Sequence, residues 1–250
     1  KSTETCPRIR ANLFHSELGM KKVLVFLTLV LPFAGAMTVR AQEIPAAGQP
    51  AIVADQSKLP HVVILSMGGT IASRGKDRMN LTHYGDGPPV DPEDWLRDLP
   101  ELQNIARVTT EDFRNKEIKG DHFADIGRVA HRLNEIAKDP GIDGVVVTHG
   151  TNTMAEVAFY LNLVVNTDKP IVLVGSQRPW SAISGDGPLN MYDAVRVAAD
   201  PGAKGLGVLH CMNQYTNAAR DVTKTSAYRV ETFRSSDTGA LGFADPDKVK

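Results

Sequence analysis

HVVILSMGGTIAS, residues 61–73, and DGVVVTHGTNTMAE, residues 143–156, share one shape. Each is an apolar run that enters a glycine and then a threonine. Val62–Leu65 and Val145–Val147 are β-branched or aliphatic without alternation, the pattern of strands covered on both faces. The glycines permit a sharp turn. The threonine then stands at or near the start of a helix, among unpaired backbone N–H groups and the positive end of a helix dipole. Open α/β sheets bind ligands at the carboxyl ends of their strands, so two hydroxyls placed there mark a candidate site.

From His61 onward, apolar strands alternate with helical patterns. HVVILSM, ARVTTEDF, DGVVVTH, KPIVLVGS and KGLGVLHCM read as strands. Pro92–Leu99, Asp121–Lys138, Thr153–Val165 and Leu189–Ala199 read as helices; in the second, Ile126, Val129, Ala130, Leu133 and Ile136 recur at helical spacing. This order predicts an α/β fold with a doubly wound, mostly parallel sheet over residues 59–250. Two long polar connections interrupt it: RMNLTHYGDGPPVDPED (78–94) and QRPWSAISGDGP (177–188). Loops of that length in compact domains are commonly functional.

The first sixty residues read differently. Met20, Lys21 and Lys22 precede VLVFLTLVLPFAGAMTV, and Val39-Arg40-Ala41 supplies small residues for cleavage. A basic start followed by a short apolar run broken by Pro32 and Gly35 is the form of a secretory signal peptide. Residues 20–41 are therefore expected to be a signal peptide and 1–19 upstream of the native start. Residues 42–58, rich in Ala, Pro, Gly and Gln, are expected to be a flexible lead-in. The ending FADPDKVK, with no closing helix, reads as an interrupted sequence.

Composition narrows the classes. The chain has 250 residues, 42% hydrophobic and 23% charged, with net charge −1, and that balance gives no reason to expect a nucleic-acid partner. No metal site and no cofactor motif are read; GGT lacks the lysine of a phosphate-binding loop and the GxGxxG spacing. Cys6 and Cys211 are the two cysteines; Cys211 reads as a small buried strand residue.

Four side chains could carry chemistry. Thr70 is a candidate nucleophile whose oxyanion neighbouring N–H groups would hold; as a helix cap it would be purely structural. Thr151 is a second hydroxyl of the same kind. Lys224, in RDVTKT, could activate a hydroxyl if burial lowered its pKa. Tyr84, in THYGDG, offers a phenol on the long loop after Thr70. His149 is read as structural.

Taken in order, VILSMGGTIAS, VVVTHGTNTMAE, KPIVLVGSQRP, SGDGPLN and ARDVTKT resemble the bacterial L-asparaginase/glutaminase family with a threonine nucleophile. The resemblance covers the chain from about His61 to its end, and with the signal peptide it points to the secreted, periplasmic branch. It implies hydrolysis of a side-chain amide through a threonine acyl-enzyme, with no cofactor. Thr70 matches the nucleophile, Tyr84 the activating tyrosine, and Thr151 and Lys224 the second cluster. Gly69, Gly150, Asn152 and Lys119 fall at substrate-binding positions. The partners implied are a small-molecule amide and further copies of the chain, as a dimer of intimate dimers; no membrane contact is implied once the signal is removed. Asn152 stands where the family has aspartate, which keeps hydrogen bonding without the charge. Where the family has a serine and a polar residue for the substrate carboxylate, the sequence reads Glu117-Ile118-Lys119-Gly120-Asp121-His122, and Lys119 could pair with a carboxylate. The family's small C-terminal domain has no counterpart in these residues. Asn152 and the Lys119 segment motivate a second reading, an amidohydrolase of this fold with a shifted small-amide substrate; a third, from a different class, is a non-catalytic periplasmic binding module that retains the fold.

Overall fold

The computed structural model describes residues 55–114 and 123–250, with side chains from 125 in the second stretch. The segments expected at 1–19 and 20–41, Cys6, and the lead-in up to residue 54 lie outside the described residues.

Seven strands form one sheet. They are β1 (His61–Ser66), β2 (Arg107–Asp112), β3 (Gly144–Thr148), β4 (Ile171–Val174), β5 (Val208–Met212), β6 (Tyr215–Ala218) and, at the far edge, Gly242–Phe243. Between β6 and that edge strand the chain forms a separate antiparallel pair, β7 (Val222–Lys224) and β8 (Phe233–Ser235); the edge strand is β9. The order is β2-β1-β3-β4-β5-β6-β9. The pairings from β2 to β5 are parallel; β5–β6 and β6–β9 are antiparallel.

The pleat sends successive residues to opposite faces, and both faces are dry. Val63, Leu65, Val145, Val147, Ile171 and Leu173 join one apolar cluster with α2 (Phe123–Ile136) and α3 (Met154–Val164). Val62, Ile64, Val146, Val172 and Val174 join the other, with α1 (Pro92–Asp98) and α4 (Gly187–Ala199). The expected doubly wound, mostly parallel α/β architecture is therefore what the chain adopts. Each fully buried Val, Leu or Ile contributes on the order of 2 kcal/mol, which is why uninterrupted apolar runs specify these strands.

Local chemistry fixes the helix ends. Asp91 and Asp94 form a capping box at α1, with Pro92 in its first turn. The Arg132 guanidinium reaches Glu111 with two N–H donors at 2.9 and 2.7 Å, clamping α2 to β2. α4 begins at Gly187, two residues before the expected Leu189, because Pro188 is a favoured first-turn residue. Among the described residues no helix is long and apolar enough to cross a membrane.

His210 of β5 is fully buried, and neither ring nitrogen has a hydrogen-bond partner among the described residues. Its ring lies 4.2 Å from that of Phe233. Burial pushes its pKa down to about 3 from 6.5. The unfolded chain thus takes up a proton below pH 6.5 that the folded chain refuses until about pH 3, so this residue costs stability as pH falls through that window. His210→Leu is expected to remove that loss, because it also removes two unsatisfied polar atoms. The check is urea unfolding of both proteins from pH 7 to pH 4; the gap in favour of the variant should widen as pH falls. A gap independent of pH would contradict the buried neutral state.

Candidate active site

The chain leaves β1 for β2 on one side and reaches β3 on the other, so the connections change direction between the carboxyl ends of β1 and β3. A crevice opens at such a reversal in open α/β sheets. Both Gly-Thr turns end there. Ser66 is in register with Thr148, and the Met67 N–H donates to the Thr148 carbonyl at 3.2 Å.

Gly69 decides how close the turns come. Its φ of 88° with ψ of −175° is a conformation essentially confined to glycine. A Cβ there would lie 2.6 Å from the Gly150 nitrogen and 2.8 Å from its Cα. Backbone therefore packs on backbone, and Thr70 and Thr151 are each one residue from that contact. Thr70 opens a 3-10 turn, Thr70–Ala72, for which Gly69 is the cap. It is 5% exposed, and its hydroxyl makes no hydrogen bond among the described residues. Thr153, not Thr151, is the cap residue of α3. The structural alternative, helix capping, thus applies to neither threonine.

Thr151 is held from two sides. Lys224 Nζ donates to its Oγ1 at 2.7 Å, and the hydroxyl donates onward to Gln177 Oε1 at 3.5 Å, the outer limit of such a bond. Lys224 Nζ also donates to Asn152 Oδ1 at 3.3 Å. Lys224 sits at the end of β7, and the turn beyond is stapled by Thr225 N–H to the Thr232 carbonyl at 2.7 Å and by Ser226 N–H to the Thr232 hydroxyl at 2.9 Å. Burial lowers the Lys224 pKa from its ordinary 10.5. A cavity of about 340 Å³ lies beside it, lined by Asn152, Glu156, Thr223, Lys224 and Ser226 among others.

Gln177 was not singled out in the sequence, although it lies within KPIVLVGSQRP. Its position depends on the later SGDGPLN segment: Asp186 accepts from the Gln177 and Arg178 N–H groups, both at 2.9 Å. Asn190 donates to the Gly175 carbonyl at 3.0 Å and accepts from Asn213 N–H at 2.8 Å. The two motifs on either side of the 178–185 loop thus form one hydrogen-bonded frame behind Thr151.

Tyr84 is 45% exposed on its loop. The loop is tied to the chain just after Thr70 by Gly85 N–H to Arg74 O at 3.2 Å and Val90 N–H to Ala72 O at 2.9 Å. The phenol itself makes no hydrogen bond among the described residues. His149 is fully buried and its Nδ1 meets the Gly150 carbonyl at 2.7 Å, so it braces the second turn. Lys119 lies outside the described residues. Among the described residues no cluster of three or more His, Cys, Asp or Glu could hold a metal. Cys211 is buried on β5, which pushes its thiol up to about 12.

A family model described as asparaginase, N-terminal, matches residues 61–250. A glutaminase-asparaginase of Pseudomonas fluorescens biotype A is 42% identical over 201 residues, 79% of this chain and 54% of the relative. A probable periplasmic L-asparaginase of Haemophilus influenzae is 41% identical over 207 residues, 79% of this chain and 55% of the relative. Among solved structures, a probable cytoplasmic L-asparaginase from Campylobacter jejuni superposes with a TM-score of 0.72 at 38% identity. That match covers 76% of this chain and 58% of the other. The chain thus spans about half the length of the curated relatives it matches.

The glycine contact can be tested apart from any activity. Gly68 also has positive φ, 89°, but a Cβ there would meet only Arg114 side-chain carbons, at 3.6 and 3.7 Å. Gly68→Ala should cost about 1–2 kcal/mol of backbone strain. Gly69→Ala adds a clash with Gly150 and should cost at least several kcal/mol or prevent folding. Chemical unfolding of the two variants checks this; equal losses would mean that the two turns are not in contact.

Proposed function

The chain belongs to the asparaginase family over residues 61–250, and from that premise we propose that it hydrolyses a small primary carboxamide of the L-asparagine and L-glutamine type through an acyl-enzyme on Thr70. The observation that carries the reading is the 2.7 Å contact of Lys224 Nζ with Thr151 Oγ1, one residue from the backbone junction on which Thr70 also sits. A hydroxyl is a weak nucleophile until a base takes its proton. A neutral Lys224 could accept a proton through Thr151, and its lowered pKa supports that state. Tyr84, on the loop anchored beside Thr70, is the second candidate for that proton.

In this reading Thr70 Oγ1 attacks the amide carbon and loses its proton to the base. N–H groups of the Gly68–Thr70 and Gly150–Thr151 turns stabilise the oxyanion. The proton passes to the departing nitrogen, ammonia leaves, and water hydrolyses the Thr70 ester by the same relay. Gly69 and Gly150 give the substrate its closest approach to backbone, while Asn152 and Lys119 would contact its remaining polar groups. Release to the periplasm, supported by the Met20–Ala41 segment and by the periplasmic relative, and assembly as a dimer of intimate dimers belong to the same proposal.

The test is ammonia release from a panel of small amides that includes L-asparagine and L-glutamine. Thr70→Ala should abolish release while leaving the protein folded, with an unfolding free energy lower by no more than about 1–2 kcal/mol; undiminished turnover would sink the assignment. Lys224→Met should reduce kcat/KM by about 10²–10⁴-fold, the usual contribution of a positioned base. For the wild type, kcat/KM should rise with pH as Lys224 loses its proton, with the ascending limb below lysine's ordinary 10.5. A limb unmoved in Lys224→Met would assign the base elsewhere.

A further inference from the structure

The side chains around Thr151 form a circuit that returns to the segment it starts from. Lys224 Nζ donates to Thr151 Oγ1 at 2.7 Å, and Thr151 Oγ1 donates to Gln177 Oε1 at 3.5 Å. Gln177 Nε2 then donates to the Ser226 carbonyl at 3.4 Å. Ser226 is two residues beyond Lys224. The last two contacts are long, but chemistry fixes their direction. A carbonyl only accepts, so the half-buried Gln177 amide turns its NH2 to Ser226 and its oxygen to Thr151. That oxygen also only accepts, so it takes the one proton of the Thr151 hydroxyl. Flipping the amide would set Oε1 against the Ser226 carbonyl. The Gln177 main chain is held as well, because Asp186 Oδ2 accepts from its N–H at 2.9 Å.

A protonated Lys224 completes this circuit. It gives a proton to a hydroxyl that has already given its own away. A neutral Lys224 reverses the demand: its lone pair is best satisfied by the Thr151 proton, and that leaves Gln177 Oε1 without a donor. Gln177 and Lys224 thus compete for one proton, and the glutamine's hold on it favours the ammonium form. The second bond of Lys224, to Asn152 Oδ1 at 3.3 Å, uses another of its hydrogens.

The charged groups of the surrounding elements leave this competition in place. Burial is what lowers the Lys224 pKa, with no charged group contributing. Glu156 of α3 lines the same cavity without pairing to Lys224. On the β8 side Glu231 pairs with Arg234 at 2.9 Å. Asp221, before β7, accepts from Thr238 and has Arg220 as its neighbour. Behind Thr151, Asp186 is bonded to Gln177, Arg178 and Asn190, and Arg178 donates to the Ser184 carbonyl at 2.6 Å. His149 meets the Gly150 carbonyl. Tyr228 and Arg229, on the turn after β7, are exposed.

We propose that Gln177 is a positioning residue of this site: it fixes the direction of the Thr151 hydroxyl and holds that proton away from Lys224. Its bearing on catalysis rests on the reading of Lys224 as the base; the direction of the hydroxyl does not. Gln177 acts through Thr151.

Gln177→Met removes the competing oxygen at similar length, and the Ser226 carbonyl keeps the Thr232 hydroxyl as a donor. The measurement is the titration of Lys224 in the whole chain, by NMR of isotope-labelled lysine side chains. Its signal is assigned by its absence from Lys224→Met. In Gln177→Met the midpoint should fall by about 0.5–1 pH unit, the worth of one net hydrogen bond. In Gln177→Glu, which is nearly isosteric, the carboxylate should raise it by about 1 pH unit or more. A space-filling glutamine would predict otherwise. Its loss would leave the midpoint in place, or would hydrate the lysine and raise the midpoint toward the ordinary 10.5. Either result, or a midpoint that fails to rise in Gln177→Glu, would overturn the proposal. If the midpoints move as expected while no amide in the panel releases ammonia, the catalytic reading fails and the hold of Gln177 on Thr151 is upheld.

Discussion

Backbone packed on backbone at Gly69 and Gly150 is the constraint on which the rest of this architecture hangs. Two parallel strands in register bring their carboxyl ends together at the strand spacing of about 4.8 Å. That leaves room for two turns side by side only if one lacks a side chain at the junction. Gly69 meets the condition twice, by having no Cβ to strike Gly150 and by accepting a φ of 88°. The conformational entropy that a glycine loses on folding is offset by the paired strands on either side. What the junction yields is proximity: hydroxyls from residues 70 and 151, eighty-one positions apart, on either side of one contact.

Proximity alone does not orient a hydroxyl. Orientation comes from two structures outside the parallel core. The β7–β8 pair, held by Thr232, delivers Lys224 to one lone pair of Thr151. The Asp186–Asn190 frame delivers Gln177 to its proton. A serine or threonine hydroxyl has one donor and two acceptor sites, so these contacts leave Thr151 little rotational choice. Thr70, by contrast, has no partner among the described residues, and the difference fits one hydroxyl that is held and one that is available to a ligand.

How much of this could be read from the chain follows from the same physics. β1, β3, β4 and β5 were legible because a strand buried on both faces must be apolar at nearly every position, and Val62–Leu65 or Val145–Val147 has no helical alternative of sufficient length; β2, an edge strand with exposed polar residues, was read from its β-branched Val108, Thr109 and Thr110. β6, β7, β8 and β9 were not. Thr216 and Asn217 are buried polar residues, and β7 to β9 are two or three residues long, too short for any period to appear. The Gly-Thr turns were visible because glycine and threonine have few reasons to follow a strand in that order. Gln177 was not, because nothing about a glutamine reports that Asp186, nine positions later, will fix its backbone. The resemblance placed Lys224 near Thr151 with no physical argument for how it gets there; the hairpin supplies one.

The same placement raises an energetic question that bears on chemistry. Taking an ammonium out of water costs several kcal/mol unless opposite charge repays it. Arg114 is repaid by two aspartates and its pKa is raised well above the usual range, with Asp112 the leading cause. Lys224, held by neutral oxygens among the described residues, is not repaid there, and burial lowers its pKa. One arrangement therefore stabilises a cation beside Gly68, and the other leaves a lysine more easily deprotonated than a free one. Placing aspartate at 152 would move Lys224 toward the first state. Asn152, being uncharged, leaves the lysine without a counter-charge at that 3.3 Å contact.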